Sequence, residues 1–196
     1  GDREGFTKGY ERALATAPRD IRLWRELISK LMHAEQFDKA LDAIVRGRAA
    51  VGPHAVFDNN EAICFDELGD AATADRLFSA LTIDRILLAV RHVRHLLRSG
   101  RPEEAAAAAE RWTQGPEAEL MWPYVSLAWR MTGDPRWDWL EGDPRLIGVF
   151  DIEELQPSLG RHADVLRSLH NATHQPLEQS VRGGTQSDGI LFRRFE

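Results

Sequence analysis

The chain has 196 residues, 43% of them apolar and 29% charged, with a net charge of −6, enough for one compact domain or an elongated array with a small second unit. That acidic balance disfavours indiscriminate nucleic-acid binding while leaving room for a local basic face. The single cysteine, Cys64, excludes a disulfide scaffold and makes a reducing, cytoplasmic compartment the expectation. No apolar run reaches the roughly 18 residues that span a bilayer, so no membrane partner is expected. A start on Gly1 without Met reads as a cut within a longer chain.

From residue 6 to about residue 113 the pattern is helix after helix, broken near Pro18, Gly52, Gly69 and Gly100. Residues 1–18 read as the second half of a helix pair. In the next pair Trp24, Leu27 and Leu31 form the stripe of a first helix, and Ala40 and Ile44 supply the second. Ala40 and Ala74 each close a turn, at 35–40 and 69–74. Tyr10, Ile44 and Phe78 recur at the interval that separates those two alanines, four positions beyond Phe6, Ala40 and Ala74. These six positions are expected to pack one helix of each pair on the next. A third turn, 100–105, ends at Ala105, short of a full interval past Ala74, so that unit is shortened. Residues 101–112, almost all alanine and charge, favour helix, and 121–131 reads as a further helix without a recognisable partner.

The interval from Ala40 to Ala74 matches the tetratricopeptide unit, whose length is about 34 residues. The chain resembles that consensus at Trp24, Leu27, Ala40 and Ile44, and again at Ala62, Phe65, Ala74 and Phe78. The resemblance implies an all-α fold, a right-handed superhelix of antiparallel helix pairs over residues 1–133, followed by a short irregular or β segment. Beyond Gly133 the composition changes: Asp134, Pro135, Trp137, Trp139, Gly142, Asp143 and Pro144 crowd together. A boundary is therefore expected there, with 134–196 as a linker, a helix and the edge of another domain. The apolar run 146–150 is a candidate strand, 158–171 a helix and 190–192 a second strand.

Residues 171–194 do not fit the repeat. They carry His174, Pro176, Gln179, Ser180, Arg182, Gly183, Gly184, Thr185, Gln186 and Phe192, and with these they resemble the opening of a bacterial family of iron(II)/2-oxoglutarate-dependent dioxygenases. Members carry a His-Pro, Gln-Ser, Arg-Gly-Gly-Thr-Gln run and often have tetratricopeptide repeats upstream; here Gln175 splits the His-Pro pair. Residues 143–170 also resemble the family's lead-in. The resemblance implies iron held by two His and one carboxylate on a double-stranded β-helix, and a basic residue for 2-oxoglutarate. Those ligands are implied downstream of the run. Iron and 2-oxoglutarate therefore belong to a longer parent, no catalytic or metal-ligating residue is assigned here, and the chain alone is expected to be inactive.

Other candidates have plainer readings beside them. His162 and Asp164 have the form of a His-x-Asp iron pair but fall in an expected helix, where Asp164 favours the N-terminal dipole. His170 and His174 have metal-ligand spacing, yet Asn171 and Pro176 argue that the helix ends between them. Gly183 and Gly184 form either an anion-binding nest or a tight turn. Trp137 and Trp139 offer either a binding surface or a cap on the last helix pair. Cys64 has no activating neighbour.

The basic face is the more useful feature. On a helix over 83–99, Arg91, Arg94, His95 and Arg98 fall within about 100° of one another, while Ile86, Val90, Val93 and Leu97 lie on another side. In tetratricopeptide arrays the first helix of each pair lines a concave surface. The repeat phase maps Arg22, Arg25, Ser29 and His33 there from one unit, Asn59 and Ile63 from the next, and Arg94 and Arg98 from the third. Such a groove suits an extended acidic peptide or a C-terminal carboxylate, although the Lys and Asn pattern of the chaperone-binding carboxylate clamp is absent. A solvated basic stripe is the plainer alternative. The expected function is a protein- or peptide-interaction module forming the N-terminal region of such a dioxygenase; the alternative is a stand-alone adaptor without enzymatic activity. Nucleic acid is not an expected partner, because four of the six Trp lie beyond residue 120, away from the arginine stripe.

Overall fold

The computed structural model describes residues 5–173 and 184–187. Among these the regular elements are all helical. They are α1 (Lys8–Thr16), α2 (Ile21–His33), α3 (Phe37–Val51), α4 (Ala55–Leu68), α5 (Ala71–Ala80), α6 (Ile86–Arg98), α7 (Pro102–Glu110), α8 (Trp122–Thr132) and α9 (Leu159–Leu169). Residues Thr7–Leu146 form one compact unit.

The turns between helices explain why the chain folds into hairpins. Three residues from α2 to α3 and two from α4 to α5 leave no path except straight back. At the ends of α2, α4, α6 and α8 the same bond recurs: Gln36 N–H donates to the Leu31 carbonyl at 2.9 Å, Asp70 to Phe65 at 3.0 Å, Arg101 to Leu96 at 3.0 Å and Asp134 to Trp129 at 2.9 Å. This is the closing bond of a Schellman cap. It requires a left-handed residue just before the donor, supplied by Glu35 (φ 57°), Gly69 (83°), Gly100 (71°) and Gly133 (70°). Glu35 is the exception to glycine, in a conformation that disfavours a Cβ. The opposite ends are capped by side chains: Asp20 accepts from Arg22 N–H at 2.9 Å and Asp70 from Thr73 N–H at 3.1 Å.

Neighbouring helices α2 to α5 pack in sequence, as do α6, α7 and α8. Alternate helices touch as well: α2 with α4, α4 with α6, α6 with α8. Each hairpin thus covers the open face of the one before. Ala40, Ile44 and Ala74 are fully buried and Phe78 nearly so, as the repeat interval predicts. Tyr10 and Phe6 are only half-buried, consistent with a first helix covered from one side. Gly47, one turn beyond Ile44, marks the tightest crossing: a Cβ there would lie 2.6 Å from a ring carbon of Phe57 and 3.1 Å from Trp24. Trp24 is itself fixed by its indole N–H donating to the Pro18 carbonyl at 2.8 Å. In the last two hairpins Ala105 and Ala109 admit α7 against Val93, Leu96, Met121, Val125 and Trp129.

Two stretches differ from expectation. The turn at Gly133 is of the same kind as the three before it, and the compact unit continues to Leu146, because Trp137 and Leu140 fold back onto the cluster of α6, α7 and α8. Residues 146–150 are not a strand: Leu146 ends a 3-10 turn, Pro144–Leu146, and 147–150 carry no regular structure. Val149 and Phe150 are exposed by 90% and 85%, since no described strand offers an edge to pair with. Taken by itself, the stretch from Ile147 holds a 3-10 turn, Glu153–Ser158, and α9, with no buried residue in either. The candidate strand at 190–192 lies outside the described residues.

Candidate functional site

The expected groove residues fall on three helices that touch in succession, α2, α4 and α6. Arg22 and Arg25 are exposed by 79% and 57% at the side chain and pair with their neighbours Asp20 at 2.9 Å and Glu26 at 3.0 Å. Ser29 and His33 meet through the His33 ring, whose Nδ1 lies 2.7 Å from the Ser29 carbonyl. Asn59 and Ile63 are half-buried on α4. Arg94 and Arg98 do come together, and what joins them is an acidic residue.

That residue is Glu67, near the end of α4. Its Oε1 accepts from Arg91 at 3.2 Å and from Arg94 at 3.4 Å, and its Oε2 from Arg98 at 3.0 Å. Beside it Asp66, only 8% exposed, takes Arg98 at 3.2 Å on one oxygen and lies 2.8 Å from Nδ1 of His95 on the other. The other ring nitrogen of His95 is 3.0 Å from Asp75 on α5, which also accepts from Arg101. Arg101 in turn grips Glu104 on α7 through two bonds of 2.7 Å. One charge network therefore ties α4, α5, α6 and α7. Hydrogen bonds from His95, then from Arg101, hold the Asp75 carboxyl below its ordinary value, and Glu104 and Asp75 raise Arg101.

His95 does not share the exposed stripe with Arg91, Arg94 and Arg98. It is fully buried, because residues 92 and 95 both face Phe78: their rings stack on it at 5.4 and 5.2 Å between centroids. Burial lowers the His92 pKa. The carboxylates of the network escaped the repeat mapping, yet a signal for one existed, since stepping four residues from Asn59 and Ile63 along the same face reaches Glu67. Asp66 and Asp75 carry no such signal; a buried aspartate is recognisable only by its partner.

The remaining candidates are placed as follows. Cys64 is buried, and burial with the nearby Glu61 and Glu67 pushes its thiol up to about 12, which leaves it protonated and unreactive. Asp164 on α9 pairs with Arg167 at 3.0 Å, and His162 lies 3.4 Å from the Ser158 hydroxyl. Trp137 is half-buried against α8, with Arg130 stacked 5.4 Å from its ring centroid, while Trp139 is 74% exposed. Of the dioxygenase-like run, Gly184, Thr185 and Gln186 are described; His170 places its two ring nitrogens 2.7 Å from Ser187 Oγ and 2.6 Å from Thr185 Oγ1. His174, Pro176, Gln179, Ser180, Arg182, Gly183 and Phe192 lie outside the described residues. Among the described residues no group of three or more His, Cys, Asp or Glu is placed to hold a metal ion, and none of the helices searched is long and apolar enough to cross a membrane. Comparisons with protein-family models, with curated proteins and with solved structures each return no match.

Proposed function

We propose that this chain is a helical-repeat interaction module of the tetratricopeptide type, in which α2, α4 and α6 line the concave face of a right-handed superhelix and receive an acidic peptide or protein segment. The observation that carries the reading is the convergence of Arg91, Arg94 and Arg98 on the α4 side of α6. The recurring Schellman turns and the contacts between alternate helices support the stacked architecture. Guanidinium groups held side by side match carboxylates in geometry as well as charge, and each charge-assisted bond contributes about 1.5–3 kcal/mol.

Titrating a short polyglutamate peptide against the intact chain and against the double variant Arg94→Gln, Arg98→Gln tests this. Neutral glutamine is the right replacement, because a glutamate at either position would face Asp66 and Glu67 and unfold the joint. We expect at least about a tenfold loss of affinity with unchanged helical circular dichroism. Equal affinity for both proteins would reject this surface.

We further propose, on the resemblance of residues 171–194 alone, that the module forms the N-terminal region of an iron(II)/2-oxoglutarate-dependent dioxygenase. The described residues supply no metal-ligating set, and the reading assigns them none. Reading the coding sequence past Glu196 decides it: a His-x-Asp or His-x-Glu pair with a distal His is the expected result, and an immediate stop codon rejects the oxygenase in favour of an adaptor.

A further inference from the structure

The charge network at the α4–α6 contact has two halves of different tightness. On the inner half His95 and Asp66 are 2.8 Å apart, and Arg101 and Glu104 2.7 Å. These are the lengths of well-formed charge-assisted bonds. On the outer half the three contacts to Glu67 measure 3.0, 3.2 and 3.4 Å, longer than that range, because one carboxylate is divided among three guanidinium groups. Charge is unbalanced there too. Arg91, Arg94 and Arg98 bring three positive charges, Glu67 returns one, and Asp66 shares itself between Arg98 and the buried His95. The arginines also stand further into solvent, 41%, 31% and 44% exposed at the side chain, than Glu67 behind them at 20%.

We infer that Glu67 is an internal stand-in for the partner's carboxylate: it occupies the Arg91, Arg94 and Arg98 cluster loosely, and an acidic peptide displaces it on binding. The inference rests on the groove reading above and deepens it. It also follows that the inner half, with Asp66, His95, Asp75 and Arg101, keeps the helices docked while the outer half exchanges one carboxylate for another. The cost of displacing Glu67 is then subtracted from the affinity for the partner, so the resting protein binds more weakly than its three arginines alone would allow.

Glu67→Gln removes the competitor and keeps the side-chain volume. In the same polyglutamate titration it should bind about fivefold to tenfold more tightly than the intact chain, while Arg94→Gln, Arg98→Gln binds more weakly. Affinity of Glu67→Gln equal to or below that of the intact chain overturns the stand-in, and leaves the groove reading in place if the arginine variant still loses binding. No binding by the intact chain and by Glu67→Gln alike overturns both. A second measurement needs no variant: the Glu67 carboxyl carbon resonance of the intact chain should shift as the peptide saturates it, and a resonance that stays fixed at saturation contradicts displacement. Tighter binding of an oligothymidylate strand than of polyglutamate at equal charge would overturn the peptide as the occupant.

Discussion

At the scale of residues, the decisive contacts join side chains far apart in sequence. Asp66 and Asp75 hold His95 between them from two different helices, and each aspartate also takes an arginine. Asp75 is the member that titrates with a clear consequence. Its carboxyl is held below the ordinary value of 3.8, by His95 first and Arg101 second, so its contribution to stability is complete above 3.8 and fades as pH falls through the folded-state value. Because Asp75 is close to half-exposed at the side chain, water screens the pairs and the effect is modest. Asp75→Asn should therefore lower the melting temperature at neutral pH by about 1–3 °C. The gap to the intact chain should close as the solution is acidified below 3.8. A gap that persists or widens in acid would show that Asp75 does not stabilise the joint as a carboxylate.

At the scale of elements, periodicity told most of the story in the sequence. Ala40, Ile44, Ala74 and Phe78 lie in the core as the repeat interval requires, and helices over 6–18, 83–99, 101–112, 121–131 and 158–171 all appear with ends shifted by a few residues. Two things were hidden. A run of apolar residues without a period does not separate strand from coil, and at 146–150 the outcome is coil because nothing pairs with it. Proline and tryptophan after Gly133 looked like the end of an array, whereas Asp134 makes the same capping bond as Gln36, Asp70 and Arg101. The capping bond lies between backbone groups, so no side-chain pattern announces it. Glu35, left-handed where the later turns use glycine, shows how weakly sequence encodes this geometry.

The candidate site was legible in part for the same reason. One helix face can be projected from spacing, which is how Arg22, Arg25, Arg94 and Arg98 were found. What those arginines meet is fixed only when α4 docks against α6, 24 to 32 residues away in sequence. A basic stripe read from sequence looked open. In the folded chain it is already partly neutralised by Glu67 and Asp66, and its capacity for a partner depends on how tightly they hold it.

At the scale of the whole unit Thr7–Leu146, each hairpin touches only its neighbours, so a surface built from alternate helices is extended rather than concentrated in one cavity. That suits recognition of a segment lying across several repeats, with charge placed at α2 and again at α6 and the half-buried Asn59 and Ile63 between them. The measurement that bears most directly on this is the map of backbone amide shifts as polyglutamate is titrated into the isotopically labelled chain. The account predicts shifts that cluster on α2, α4 and α6, centred on Glu67, Arg94 and Arg98, with α3, α5 and α7 largely unmoved. Shifts confined to α3, α5 and α7, or scattered over the surface without saturating, would contradict it.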